Sequence, residues 1–359
     1  MSRTKKDLLF SIALFLVSNG FVRGEEDAST PEDKDSSFVV APAISSSPGF
    51  GNGLGAVGLY FFNPDKDDEI SPPSTLTAIG MYSDTDSYFT GFFGKVYLQE
   101  DTWRLTGGVP HGRVNSRLDI GTAEEARFEN AFTVLVLDAQ RKISGPWYGG
   151  LRFITTDQRY KAKNATGKTY LDAFEAEDTR NSKIAALVSY DSRDNQRYPE
   201  SGSYGETAFA YAPESWTESE EYYVIGASAA SFFPIRDNQV LALQFKGKTV
   251  SEEAPYYERP TLGDRGDLRG YTPGEVVGHH QLLLQLEYRM VFTRLLGAAV
   301  FGGGSGLWEN TFTSDDLYWS YGAGLRIRLQ QENKVNFRID YAIGENDQDG
   351  WYISISEAF

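Results

Sequence analysis

The sequence predicts an all-β fold, a transmembrane antiparallel β-barrel of about sixteen strands. Two observations carry that expectation. First, stretches of about ten residues alternate apolar with polar side chains, the period of a strand with one greasy and one wet face. Trp319, Tyr321, Ala323, Leu325, Ile327 and Leu329 alternate with Ser320, Gly322, Gly324, Arg326, Arg328 and Gln330. Val335, Phe337, Ile339 and Tyr341 alternate with Lys334, Asn336, Arg338 and Asp340. Leu282, Leu284, Leu286, Tyr288, Met290 and Phe292 oppose Gln285, Glu287 and Arg289. Second, the wet face carries full charges, and aromatics gather near strand ends, at Tyr60–Phe62, Trp147-Tyr148, Tyr222-Tyr223 and Tyr318-Trp319. An aqueous lumen accepts the charges and the two membrane interfaces attract the aromatics.

The elements follow in order. Residues 1–24 read as a secretory signal, with Arg3, Lys5 and Lys6 before an apolar run from Leu8 to Val17 that is too short to span a bilayer. Residues 25–36 form an acidic linker with the composition of disordered chain. Residues 37–359 are the barrel domain. Its strands are expected near 36–45, 53–62, 75–83, 87–98, 102–119, 129–142, 146–157, 182–191, 203–212, 221–233, 238–250, 280–293, 296–303, 318–330, 334–342 and 350–359. Within 102–119, Pro110 and His111 mark a turn or a bulge, because proline cannot donate to a ladder. An even number of strands puts both termini on the periplasmic side. The stretch 251–279 is then an extracellular loop and the turn near 192–202 is periplasmic.

Composition excludes several function classes. The chain has no cysteine, which removes disulfides, thiolate metal sites and a cysteine nucleophile. Its three histidines, His111, His279 and His280, show no metal-ligand spacing, so no metal or cofactor is expected. Formal charge is −16, and removing 1–24 takes away Arg3, Lys5, Lys6 and Arg23 against Asp7, leaving about −19. A chain this acidic is a poor partner for nucleic acid. No nucleophile elbow, zinc-protease helix or phosphate loop occurs, so no enzyme is expected. His279 and His280 near the extracellular rim are the only residues that keep a surface hydrolase in view.

Three motifs remain. SYDSRDNQRYPESGSY contains Asp191, Arg193, Asp194, Asn195, Pro199 and Gly202, the residues of a tight turn: Asp and Asn cap it, Pro ends pairing and Gly takes a positive φ. TLGDRGDLRGYTPGE contains Gly263, Gly266, Leu268, Arg269, Gly270 and Tyr271, a glycine-rich loop with an arginine at its tip. The chain ends on alternating Trp351, Ile353 and Ile355 and then Phe359. In this order the motifs resemble those of the BamA/TamA family of outer-membrane assembly barrels, well over residues 182–359 and loosely over 36–181.

That resemblance implies a bacterial outer-membrane protein whose extracellular loop folds back into the lumen. It implies that Arg269 packs against carboxylates on the inner wall, a task suited to a guanidinium that is always charged and can bind two oxygens at once. Glu287 matches the family's strand glutamate. A second acid is usual in a Phe-x-Asp-x-Gly pattern on the next strand, where this chain has Gly303. Either one carboxylate holds the loop, or Asp340 compensates, or the loop docks less firmly. Trp351, Ile353, Ile355 and Phe359 resemble the C-terminal strand signal for barrel insertion, with Glu357 at a usually apolar position near the periplasmic interface.

Family members that insert proteins carry periplasmic POTRA domains of roughly 75 residues each. Here only the acidic linker precedes the strands, so the chain reads as a barrel alone. The expected partners are outer-membrane lipid, the outer-membrane assembly machinery, and a separate POTRA-bearing protein or a translocated substrate. The expected function is outer-membrane biogenesis or protein insertion or translocation, through a weakly paired seam between first and last strands. The alternative is a passive pore or a structural surface protein that keeps only the fold.

Overall fold

The computed structural model describes residues 36–359 except 48–49, 119, 196–197, 264–266, 331–334, 347 and 356. The expected signal at 1–24, and all of the linker but Ser36, lie outside the described residues. Sixteen strands form one sheet in chain order, each antiparallel to the last. The first eight are β1 (Ser36–Ser47), β2 (Gly51–Phe62), β3 (Ser74–Ser83), β4 (Tyr88–Leu98), β5 (Trp103–Leu118), β6 (Ala126–Ser144), β7 (Trp147–Ala162) and β8 (Thr179–Asp191). The rest are β9 (Gly202–Ala212), β10 (Tyr222–Arg236), β11 (Gln239–Val250), β12 (His280–Val291), β13 (Leu296–Trp308), β14 (Leu317–Gln330), β15 (Val335–Ile343) and β16 (Asp349–Ile355).

The alternation read from sequence is the inside–outside division of this sheet. Along β12, Leu282, Leu284 and Leu286 are exposed, whereas Leu283, Gln285, Glu287 and Arg289 are buried. Along β14, Trp319, Tyr321 and Leu325 face out while Ser320 and Arg326 are buried. Exposed apolar rows of this kind are stable against lipid, and every strand from β2 to β15 has a hydrogen-bonded neighbour on both sides. Among the described residues, no helix is long and apolar enough to cross a membrane.

Three expectations need correction. Pro110 makes neither a turn nor a bulge: Gly108 pairs Val136 and His111 pairs Thr133 in one register, and Pro110 sits opposite Gly91 of β4. A proline only drops out of the ladder on one side there, so the strand continues. β6 and β7 are also longer than expected, reaching Ser144 and Ala162. Between β7 and β8 stands a helix, α1 (Ala165–Ala173), capped by Asn164, whose side chain accepts from Gly167 N. Nine residues with a weak apolar face leave little periodic signal, and the cap residue was the only clue.

The ladders run from β1 to β16. The two edge strands approach each other, but no hydrogen-bonded register joins them among the described residues. The lumen is largely filled. Beneath β2–β6 it holds Phe50, Val57, Phe89, Phe93, Val114 and Phe132. Beneath β12–β14 it holds Leu262, Leu268 and Tyr271, which come from the 251–279 loop, against Leu283 and Leu307.

Candidate functional site: a loop locked in the lumen

The loop after β11 turns inward because its backbone can. Gly263 and Gly270 have φ of 75° and 111°, and Leu268 between them has φ of 46°. A methyl on Gly263 would overlap the Tyr271 carbonyl, and one on Gly270 would lie 2.7 Å from Gly344 N. Only glycine meets both demands at once. Gly266 lies outside the described residues.

This shape delivers Arg269 to the middle of the lumen, where it is fully buried. Its Nη2 donates to Glu287 Oε2 at 2.8 Å, and its Nη1 to Asp340. Its guanidinium carbon lies 3.4 Å from the centroid of the Phe301 ring. Around this pair the charges alternate. Arg289 Nε donates to Glu287 Oε1 at 2.9 Å. Arg326 Nη1 donates to Asp340 Oδ1 at 2.5 Å and Arg326 Nε to Glu357 Oε2 at 2.7 Å. Arg338 Nε stands 3.6 Å from Asp340. All these side chains are nearly or wholly buried, so each charge depends on its neighbours to offset lost hydration.

The position where a second acid was expected is occupied differently. Gly303 faces Gln285 across the β12–β13 ladder, and a methyl on Gly303 would lie 2.7 Å from Gln285 Cγ. Gln285 uses the space: it accepts from Leu268 N at 3.1 Å and donates to Gln244 at 2.8 Å. The second carboxylate is Asp340, two strands further on. It needs Gly324 opposite it, since a methyl there would overlap the Asp340 carboxylate.

Moving that carboxylate to β15 ties the loop to the last hairpin. Gly270 N donates to Tyr352 Oη at 2.6 Å and Thr272 N to Gln348 Oε1 at 3.1 Å. Glu345 N donates to Tyr271 Oη at 3.1 Å, and Tyr271 Oη donates to Trp319 O at 2.8 Å. On the far wall the same loop has a second anchorage that sequence reasoning missed. Tyr256 Oη lies 2.7 Å from Tyr170 Oη of α1, Asn181 donates to Tyr257 Oη at 3.0 Å, and Glu258 pairs with Lys183. Burial pushes the Tyr170 and Tyr256 phenols up, so both stay neutral donors. The available signal was the paired tyrosines and glutamate of PYYE at the start of the loop.

The turn motif sits at the opposite end of the barrel. Asp194 accepts from Glu200 N at 3.0 Å and Ser201 N at 3.1 Å, and Asn195 accepts from Tyr198 N at 3.0 Å. Gly202 has φ of 90°, and Pro199 is buried against the lumen. Asp191 does more than cap: it binds Arg193 Nε at 2.9 Å and Arg104 Nη1 at 3.2 Å, and Arg104 joins Asp101 and Tyr148. Nearby, hydrogen bonds from the Ser71 hydroxyl and amide hold the Asp68 carboxyl down to about 2.

The chain's last residues depart from expectation. β16 ends at Ile355, and Phe359 packs on Phe232, Val240 and Ala242 of the inner wall. Glu357, expected near the periplasmic interface, is buried, accepting from Arg326 and from Asn336 Nδ2 at 2.7 Å. The physical reason is the arginine excess around Glu287 and Asp340, which a third carboxylate reduces. Trp351 is exposed on the outer face; Ile353 and Ile355 lie in β16, and their side chains are outside the described set.

His279 and His280 stand where the loop enters β12. His280 Nδ1 lies 3.3 Å from Thr249 Oγ1 and its ring packs on Trp308. Burial pushes the His279 imidazole down. Among the described residues, no cluster of His, Asp and Glu could hold a metal.

Charge reversal at Glu287 tests the lock. Glu287→Lys puts a cation among Arg269, Arg289 and Arg326, and the yield of heat-modifiable barrel should fall at least as far as in Arg269→Ala. Wild-type yield would mean that Asp340 alone holds the loop.

An antiparallel sixteen-stranded sheet with lipid-facing apolar rows and an arginine loop locked inside defines an outer-membrane β-barrel. The model of the Omp85 superfamily domain matches residues 75–359, and the chain belongs to that superfamily. No curated protein matches it in sequence. In fold it is similar to BamA from Haemophilus ducreyi lacking POTRA domains 1–3, with a TM-score of 0.60 and 14% identity over 90% of this chain and 70% of that one. It is also similar to CdiB from Escherichia coli (TM-score 0.64, 11% identity, 93% and 66%). CdiB from Acinetobacter baumannii gives a TM-score of 0.58 and 11% identity over 89% and 64%. The chain thus spans about two thirds of the length of these structures. Membership makes it an integral outer-membrane protein of a non-enzymatic superfamily with a general role in protein insertion or translocation.

Proposed function

We propose that this barrel assists insertion or translocation of other proteins by offering the edge between β1 and β16 to a client strand. The observation that carries this reading is that no ladder joins those two strands among the described residues, whereas each of the fifteen other neighbouring pairs has one. A free strand edge is a template for β-augmentation, and in lipid its unpaired amides are costly enough to favour a partner. The loop has a mechanical part in this. Arg269, Gly270 and Thr272 bind side chains of β15, β16 and the turn between them. The brace positions the last hairpin without help from β1, so the edge can stay open while the barrel stays folded.

Both termini lie on the periplasmic side in this reading, and the end carrying α1 and the 251–279 loop is extracellular. The partners are outer-membrane lipid, the assembly machinery, and a passenger or a separate POTRA-bearing protein. Trp351, Ile353, Ile355 and Phe359 serve as the chain's own insertion signal before Phe359 turns inward. The alternative, a passive pore, draws support from a lumen cavity of about 410 Å³ lined by Arg104, Arg152 and Glu206. The double anchorage of the loop across the mouth weighs against it.

Photo-crosslinkers placed in living cells at Val39 and Ile355 test the proposal. Adducts to other barrels, a passenger or a POTRA protein are the expected outcome. Crosslinks confined to the pair Val39–Ile355 would mean a sealed edge and leave the passive reading standing.

A further inference from the structure

We infer that the outer face of β5–β8, at the end carrying α1, is a binding surface for the phosphate groups of an outer-leaflet glycolipid. The ladder registers bring six cations together there. Arg113 and Arg117 are on β5, Arg127 on β6, Arg159 and Lys161 on β7, and Arg180 on β8, with Arg117 opposite Arg127 and Arg180 opposite Asp157. All share the face that carries the exposed Val109, Leu137 and Leu151 lower down. The cations therefore point away from the lumen, toward the surrounding membrane.

Their height suits headgroups. On β5 the apolar outer row ends at Val109, and Arg113 follows four positions later; on β7 it ends at Phe153, and Arg159 follows six later. At about 3.3 Å per residue and about 45° of tilt, these positions stand roughly 9–14 Å above the apolar edge. Long basic side chains at that level reach the polar layer that caps the hydrocarbon.

Only part of the charge is used within the protein. Asp157 binds Arg159 at 3.2 Å and Arg180 at 2.8 Å, Glu125 stands 3.7 Å from Arg127, and Glu129 binds Lys163 at 2.7 Å. Arg113 rests over the Tyr88 ring, and its Nε has no hydrogen-bond partner among the described residues. The Arg159 and Arg180 side chains remain 68% and 64% exposed. In a chain of net charge −16, a cationic belt is unexpected. The opposite wall shows none: at that level the outer face of β9–β16 carries Tyr211, Tyr223, Trp319 and Trp351, and no cation among the described residues. A guanidinium fork matches carboxylate and phosphate oxygens alike, but a phosphate monoester carries about two negative charges and three acceptor oxygens, so a cluster of arginines favours a phosphorylated headgroup.

The inference relies on the extracellular assignment of this end and not on client insertion, so the two can fail separately. The test uses the full chain, folded in detergent, with retained lipid counted by native mass spectrometry. Bisphosphorylated lipid A should be retained about tenfold better than its dephosphorylated form. Arg113→Gln/Arg117→Gln/Arg159→Gln/Lys161→Gln should erase that preference, and lysine at the three arginines should keep only part of it, because an ammonium keeps the charge but not the two-point fork. Should the fourfold variant lose heat-modifiability, the two double variants, one per strand, are read instead. Equal retention of the two lipid A forms, or an unchanged preference in the variants, overturns the proposal. Retention of phosphatidylglycerol equal to that of lipid A also overturns it.

Discussion

Replacing Arg269 with alanine will unlock the loop and lower the yield of folded barrel. The substitution strands Glu287 and Asp340 in a lumen from which both are wholly excluded from water. Removing one partner of a buried ion pair costs about 3–5 kcal/mol. The lower end applies here, because Arg289 and Arg326 still touch Glu287 and Asp340. It also removes the contact with Phe301. Arg269→Lys should recover only part of the loss, since one ammonium cannot serve two carboxylates on strands β12 and β15 in that planar fork. The measurement is the fraction of heat-modifiable barrel after in-cell assembly, with synthesis checked by total antigen. A wild-type fraction for Arg269→Ala would show that the loop's other anchors, at Tyr352, Gln348 and Lys183, suffice.

Asp340→Asn should produce a different defect, confined to the last hairpin. Asp340 is the ion-pair link between the loop and β15, and the link is charged on both sides. Its neutral form keeps a hydrogen bond but loses the charge, so β15 and β16 should loosen while the other ladders hold. The absence of cysteine makes this measurable, because spin labels can be placed at two chosen sites without background. The label-to-label distance between β1 and β16 should broaden in Asp340→Asn, and that between β8 and β9 should not.

Much of this protein was legible along the chain. Lipid outside and water inside force a period of two on every strand, so Leu282, Leu284 and Leu286 against Gln285, Glu287 and Arg289 already named the two faces of β12. The same constraint set sixteen strands near their observed places. Gly263 and Gly270 marked a backbone that had to bend, and Arg269 and Glu287 were chemically suited to meet. Those properties are local, or repeat with a short period, and a linear reading captures them.

Tertiary structure decided the rest, because the rest depends on which strands lie side by side. Asp340 was one of three possibilities until the β14–β15 register set it opposite a bare Gly324 and beside Arg326. Gly303 looked like a loss until Gln285 was seen to need its space. Glu357 keeps the alternation of Trp351, Ile353 and Ile355 in sequence. It faces inward because the strand stops, and buried arginines attract it more than the interface does. The cationic belt is scattered over residues 113–180 and becomes one surface only when four strands pair. Sequence alone determined the alternation, and hence the barrel. Folding alone determined which charges meet, because electrostatic partnership falls off with distance in space and takes no account of distance along the chain.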